Sequence, residues 1–185
     1  MKVSRVFQCQ LLILCALLCS ACSKAQTEKL DPNPEPPAEV NRPAKLIHVY
    51  VALCDNDSQG IAPVPERIGN GDDPSNNLYW GCSDGARAIF SKSATWQRLS
   101  TGKVEGQAEI LERLVFQNKS NQAVLVIDAW RGSEIETCMD AYRKAMSGQE
   151  YESLALKLGN TDAKLNLRGG ADLLVFIGHN GLMEF

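Results

Sequence analysis

The pattern of this chain predicts an α/β domain, a three-layer sandwich built on a mostly parallel sheet, and three observations carry that expectation. Three short runs are apolar almost without interruption: LIHVYVALC at residues 46–54, QAVLVIDAW at 122–130 and ADLLVFIGHN at 171–180. Runs of this kind, rich in β-branched and aromatic residues, suit strands buried on both faces. Amphipathic stretches separate them, and doubly buried strands alternating with helices imply parallel pairing between helical layers. The 185 residues, 44% hydrophobic and 22% charged, supply one core and fit neither a disordered chain nor a membrane bundle.

The chain begins with a segment that does not belong to this fold. Lys2 and Arg5 precede an apolar stretch, residues 11–18, that is short for a bilayer span and reads as a secretory signal. It ends in LCSAC, where Ser20 and Ala21 stand before Cys22. This resembles the bacterial lipobox, in which signal peptidase II cuts before a cysteine that becomes lipidated. Cys19 departs from that pattern, which usually has Leu there, and the alternative is cleavage after Ala21 with no lipid. Ser23, rather than Asp, resembles lipoproteins sent on to the outer membrane. The expectation is therefore a signal peptide over residues 1–21, a lipid on Cys22, and an envelope location at the outer membrane, facing the periplasm or the cell surface. The membrane is the first expected partner. Residues 22–45 are rich in Pro, Glu and Asn and lack an apolar period, so they read as an extended tether. The domain is expected over residues 46–185.

Within that domain the spacing predicts helices over residues 84–96 and 106–118, the latter with Ala108, Leu111, Leu114 and Val115 on one face. A third helix is expected at 133–148, with Ser133 and Glu136 as a capping box and Gly148 at its close. A shorter one is expected at 150–159. Three cysteines, Cys54, Cys82 and Cys138, lie in the domain. In an oxidising compartment they form one disulfide and one free thiol, or are all small buried residues.

Ligands of open α/β sheets bind beyond the carboxyl ends of the strands. Each strand here ends in chemically capable residues: Cys54, Asp55 and Asn56 after the first, Asp128 and Arg131 at the second, His179 and Asn180 after the third. If the strands are neighbours these groups share one rim, with the polar loop 58–81 as its lid. The competing reading is that Asp and Asn only cap the following turns. Asp55, Asp57, Gln59, Gly60 and Glu66 match part of a calcium loop, but a strand precedes it and Pro63 and Pro65 interrupt it, so no metal is assigned. GNGDD lacks the Lys-Ser/Thr of a phosphate cradle, and no cofactor is expected. The formal charge of -3 offers no basic surface for nucleic acid.

The strings YVALCDNDSQGIAPVPERIGNGDDPSNNLYWG, DAWRGSEI and LLVFIGHNGLMEF resemble segments of a sparsely characterised family of bacterial secreted and lipoprotein α/β proteins. The strand followed by Gly-His-Asn-Gly is also similar to the caspase-like cysteine peptidase fold, where His before Gly ends one parallel strand and the nucleophilic cysteine ends the next. That likeness implies His179 as base and places the matching cysteine beyond Phe185; a Cys-His pair would also need a carboxylate such as Asp128 to orient the ring. Three alternatives remain open: the chain is a truncated version lacking its C-terminal strands, Cys54 serves as nucleophile, or the domain binds a protein or peptide ligand without cutting it. Asp55, Asn56, Arg131 and Asn180 are the candidate binding residues of the same rim.

Overall fold

A computed structural model of the chain describes residues 33–58 and 63–179. The signal segment, Cys22 and Asn180 lie outside the described residues, as do Gln59 and Gly60 of the partial calcium loop.

The protein is α/β, with a mixed five-stranded sheet in the order β2-β3-β4-β1-β7. These strands are β1 (Leu46–Ala52), β2 (Trp96–Gly102), β3 (Ile110–Asn118), β4 (Val124–Trp130) and β7 (Leu173–Ile177). β1 pairs in parallel with both β4 and β7, while β3 runs antiparallel to β2 and β4, so four of the five strands point the same way. The three apolar runs of the sequence are the three adjacent parallel strands. Among the described residues, two helices, α1 (Ala86–Lys92) and α2 (Ile135–Met146), and a separate hairpin of β5 (Tyr151–Leu158) and β6 (Thr161–Arg168) accompany the sheet.

Both faces of the sheet are covered, which is why β4 is buried at every position. Odd-numbered residues of β1 and β4 and even-numbered ones of β3 pack one face, among them Val49, Val51, Ile127, Leu114 and Phe116, under Trp80 and Ala86. The other face is filled by Leu46, Val124 and Val126 against Ala163, Leu165 and Leu167 of β6, and by Tyr50 and Trp130 against Cys138, Ala141 and Ala145 of α2.

Four expectations are corrected here. Residues 106–118 are not a helix: the stretch becomes β3, whose Leu114 and Phe116 point to one face and Arg113 and Val115 to the other. Its leucines and glutamates favour a helix, but burial on two faces overrides that propensity. Residues 150–159 are strand β5, with Leu154, Leu156 and Leu158 alternating towards the hairpin core. Gly159, at φ 61°, and Asn160 turn the chain directly into β6, the Gly-Asn signature of a two-residue hairpin. At α2 no side chain caps the N-terminus: a 3-10 turn, Gly132–Glu134, leads in instead, although Gly148 closes the helix at φ 68° as expected.

Residues 33–45, expected to be a free tether, lie against the domain. Val40 bridges Lys164 of β6 in both directions at 2.9 Å, and the Asn166 backbone N–H donates to Glu39 Oε1 at 2.9 Å. The Asn166 side chain donates to the Pro37 carbonyl, and Arg42 pairs with Glu39 and Asp172. Proline leaves a backbone carbonyl free to accept, and the adjoining segment uses β6 as an edge to pair with.

Candidate functional site

The carboxyl ends of β1 and β7 lie side by side, since Val51 pairs with Ile177. Beyond them Cys54 and His179 flank Tyr79: the Tyr79 and His179 rings meet edge-on with centroids 5.7 Å apart, and burial followed by the neighbouring Cys54 pushes the Tyr79 hydroxyl up. The sequence expectation that the first and third strand ends share a rim therefore corresponds to this local geometry. Tyr79, which brings the two together, carried no pattern that marked it.

Cys54 is not presented as a nucleophile. Its side chain is fully buried, and burial, reinforced by the Asp55 charge, raises its thiol above the ordinary value. Asn77, also fully buried, fixes the backbone on both sides of it: Asn77 Oδ1 accepts the Cys54 N–H at 3.0 Å and Nδ2 donates to the Cys54 carbonyl at 2.8 Å. A reactive thiol needs an electropositive, partly open surrounding, and this one is neither. Cys54, Cys82 and Cys138 are all free, with Cys54 and Cys138 buried and Cys82 half-buried.

Asp55 and Asn56 build the turn after β1. Asp55 accepts the Asp57 N–H and the Ser58 hydroxyl, each at 3.0 Å, while Asn56 bonds the Val64 backbone at both its N–H and its carbonyl. Gly71 and Gly132 pack directly over Asp55; a Cβ on Gly132 would stand 2.4 Å from that of Asp55, so only glycine permits the approach. The GNGDD segment thus serves as a clasp between β1 and β4. Its other member, Asp72, forms an ion pair with Arg131. The described part of the loop expected as a lid is packed into the fold, with Trp80 fully buried beneath the sheet and its indole N–H donating to Glu112 Oε2 at 2.7 Å.

Asp128 does not join Cys54 and His179. It stands two residues before the end of β4, in register with Tyr50, and its side chain points to the face opposite the Tyr79 side. There it takes part in a buried network that sequence reasoning missed. His48 Nε2 donates to Asp128 Oδ2 at 2.9 Å, and Arg113, directly opposite Asp128 on β3, donates from Nε and Nη2 at 2.6 and 2.7 Å. His48 Nδ1 accepts the Arg168 backbone N–H at 3.1 Å, which leaves the ring proton on Nε2. Arg113 also pairs with Glu152 on β5, and Arg168 with Glu150 and Glu152. Burial alone would raise the Asp128 carboxyl, but hydrogen bonds from Arg113 and His48 outweigh it and lower it to about 2. The only advance signal was a histidine inside an otherwise apolar strand, which demands a buried partner.

Among the described residues no group of His, Cys, Asp and Glu could hold a metal ion, and no helix is long and apolar enough to cross a membrane. A cleft of about 410 Å³ opens over the network, lined by Trp130, Lys144, Glu150, Glu152 and Arg168 among others. No protein-family model, curated protein or solved structure matches the chain.

Proposed function

We propose that this is a lipid-anchored protein of the bacterial envelope whose α/β domain, a three-layer caspase-like sandwich, binds a protein or peptide ligand at the rim of Cys54, Tyr79 and His179 without cutting it. The observation that carries the reading is the state of Cys54. Its thiol is buried and raised, its backbone is clamped by Asn77, and the carboxylate that would orient a catalytic imidazole is committed to His48 and Arg113. Acyl transfer by a thiol needs a thiolate and an oriented base in contact. A histidine beside a tyrosine at a strand end still offers a polar and aromatic surface for a peptide.

The caspase-like part of the proposal is supported by the order β4-β1-β7, three parallel strands with a histidine beyond one and a cysteine beyond its neighbour. The same adjacency favours a second reading, a cysteine-dependent hydrolase with His179 as base and Cys54 as nucleophile. Incubating the purified chain with a broad peptide library separates them. Binding without cleavage is expected; reproducible cleavage that disappears in both Cys54→Ala and His179→Ala overturns the binding reading. The anchor is tested by labelled palmitate in a Gram-negative host, where the wild-type chain should take up label and Cys22→Ser should not.

A further inference from the structure

On the face of the molecule that carries α1, we propose a second binding site, for a phosphate- or sulfate-type oxyanion, in the cleft of about 280 Å³ lined by Ser75, Gly81, Arg87, Ser91, Lys92 and Arg98. The cleft gathers three cations and two hydroxyls on a protein whose formal charge is -3, and no carboxylate lines it. Arg87 and Lys92 come from α1, Arg98 from β2 and Ser75 from the loop after the clasp, so a helix, a strand and a loop contribute to one concavity.

Two of the three charges are not cancelled internally. Arg87 is paired with Glu112 Oε2 at 3.3 Å, a carboxylate that also accepts the Trp80 indole N–H at 2.7 Å and the Thr101 hydroxyl at 3.1 Å. Neither Lys92 nor Arg98 has a carboxylate partner among the described residues. Unneutralised cations held together repel one another, and an anion between them relieves that repulsion. Guanidinium and ammonium groups are the donors that oxyanions of phosphorus and sulfur select, with hydroxyls completing the set. The wall is fixed rather than loose: a Cβ on Gly81 would lie 2.1 Å from the Ser75 carbonyl oxygen, so the 74–75 turn is drawn tight against residue 81. Arg87 is in turn oriented by Glu112 on β3.

The oxyanion has two sources, a free phosphorylated solute or the headgroup of an anionic lipid, and two arms tell them apart. The full chain is titrated with inorganic phosphate and pyrophosphate by calorimetry, and its co-sedimentation is measured with phosphatidylglycerol vesicles against phosphatidylcholine ones. To keep the anchor from dominating the vesicle arm, Cys22→Ser is the background for it. Saturable binding in either arm is expected, weakened at least tenfold by combining Lys92→Gln with Arg98→Gln. Lys157→Gln, which removes an exposed charge on β5, should leave it unchanged. Both cleft substitutions are at exposed positions, and an unchanged melting temperature excludes unfolding as the cause. Absence of saturable binding in both arms overturns the site, and so does binding that Lys157→Gln weakens as much as the double variant.

Discussion

The Nδ1 atom of His48, in the middle of the sheet, accepts the backbone N–H of Arg168, the last residue of the β5–β6 hairpin, at 3.1 Å. Arg168 adopts φ 60°, a left-handed conformation that costs a non-glycine residue about 1 kcal/mol. The bond to His48 is one of the contacts that hold it there. The same imidazole donates to Asp128 on its other side, so one ring joins the hairpin to the charge pair beneath it. Replacing His48 by Phe keeps the ring but leaves a buried backbone N–H and a carboxylate lone pair unmet. The expected cost is about 2–4 kcal/mol in urea unfolding. A change below roughly 0.5 kcal/mol, the size of an ordinary surface substitution, would mean that the ring fills space and its bonds contribute little.

Arg113 and Asp128 form a buried ion pair, with two hydrogen bonds between them. Breaking such a pair from one side is worse than removing both charges, because the survivor is left desolvated. Arg113→Met should cost about 3–5 kcal/mol, whereas Arg113→Met with Asp128→Asn should cost less than the two single changes added together. Equality of the double variant and the sum would show that the pair is not coupled.

The fold should also respond to acid through Asp128. Its folded value of about 2 lies below the ordinary carboxylate value of about 3.9, so the folded state binds the proton more weakly than the unfolded one. The contribution, on the order of 2 kcal/mol, is complete above about pH 4 and is lost as the pH falls towards 2. Stability measured between pH 5 and pH 2 should fall less steeply in Asp128→Asn than in the wild type. Asp73, Asp140 and Asp172 are lowered too, but they lie at the surface, partly open to solvent and screened, so their share of the slope should be small.

What the sequence made legible was the centre of the fold. The three parallel strands are apolar on both faces, and such runs announce themselves without regard to neighbours. β3 reads as a helix because Ala108, Leu111, Leu114 and Val115 fall on one helical face, which leaves Glu112 and Arg113 outside it. In the fold both turn inward, Glu112 to Trp80 and Arg113 to Asp128, partners 32 and 15 residues away that no local period encodes. The β5–β6 hairpin was legible after all in its alternating leucines and Gly-Asn turn, which the helical spacing of residues 150–159 obscured. At the site, the adjacency of Cys54 and His179 followed from two strand ends, while the diversion of Asp128 did not. Its partner His48 looked like one more residue of a buried strand, and a residue two places short of the strand end looks like a rim residue until its face is known.

Residues 33–42 should matter to stability, since they bond β6 along its outer edge and meet Asp172 through Arg42. Deleting them uncovers the Asn166 side chain and four backbone groups of β6 that are now paired. We expect a loss of about 1–3 kcal/mol, equivalent to a fall of roughly 3–10 °C in melting temperature for a domain of this size. Val40→Pro, which removes one donor of the bridge to Lys164, should reproduce a smaller part of that fall. An unchanged melting temperature after the deletion would return these residues to the role of a passive tether.

Thiol reactivity bears most directly on function. Of the three cysteines in the fold, Cys54 and Cys138 are fully buried, and burial raises both thiols, while Cys82 is half-buried with its thiol donating to the Leu78 carbonyl at 2.8 Å. Because the thiolate is the reactive form, a raised value slows reaction and exclusion of reagent slows it further. Treating the native chain with a maleimide at pH 7.5 and locating the adducts by peptide mass mapping should find Cys82 modified well before Cys54 or Cys138. Denaturation should equalise the three. A peptidase would behave in the opposite way, since an imidazole that takes the thiol proton leaves a thiolate open to small electrophiles. Modification of Cys54 ahead of Cys82, slowed by His179→Ala, would therefore move the rim from a binding surface to a catalytic pair. Slow modification of Cys54 that His179→Ala leaves unchanged is the expected result, because that thiol is held by its burial and by the Asp55 charge, and both remain when the histidine is removed.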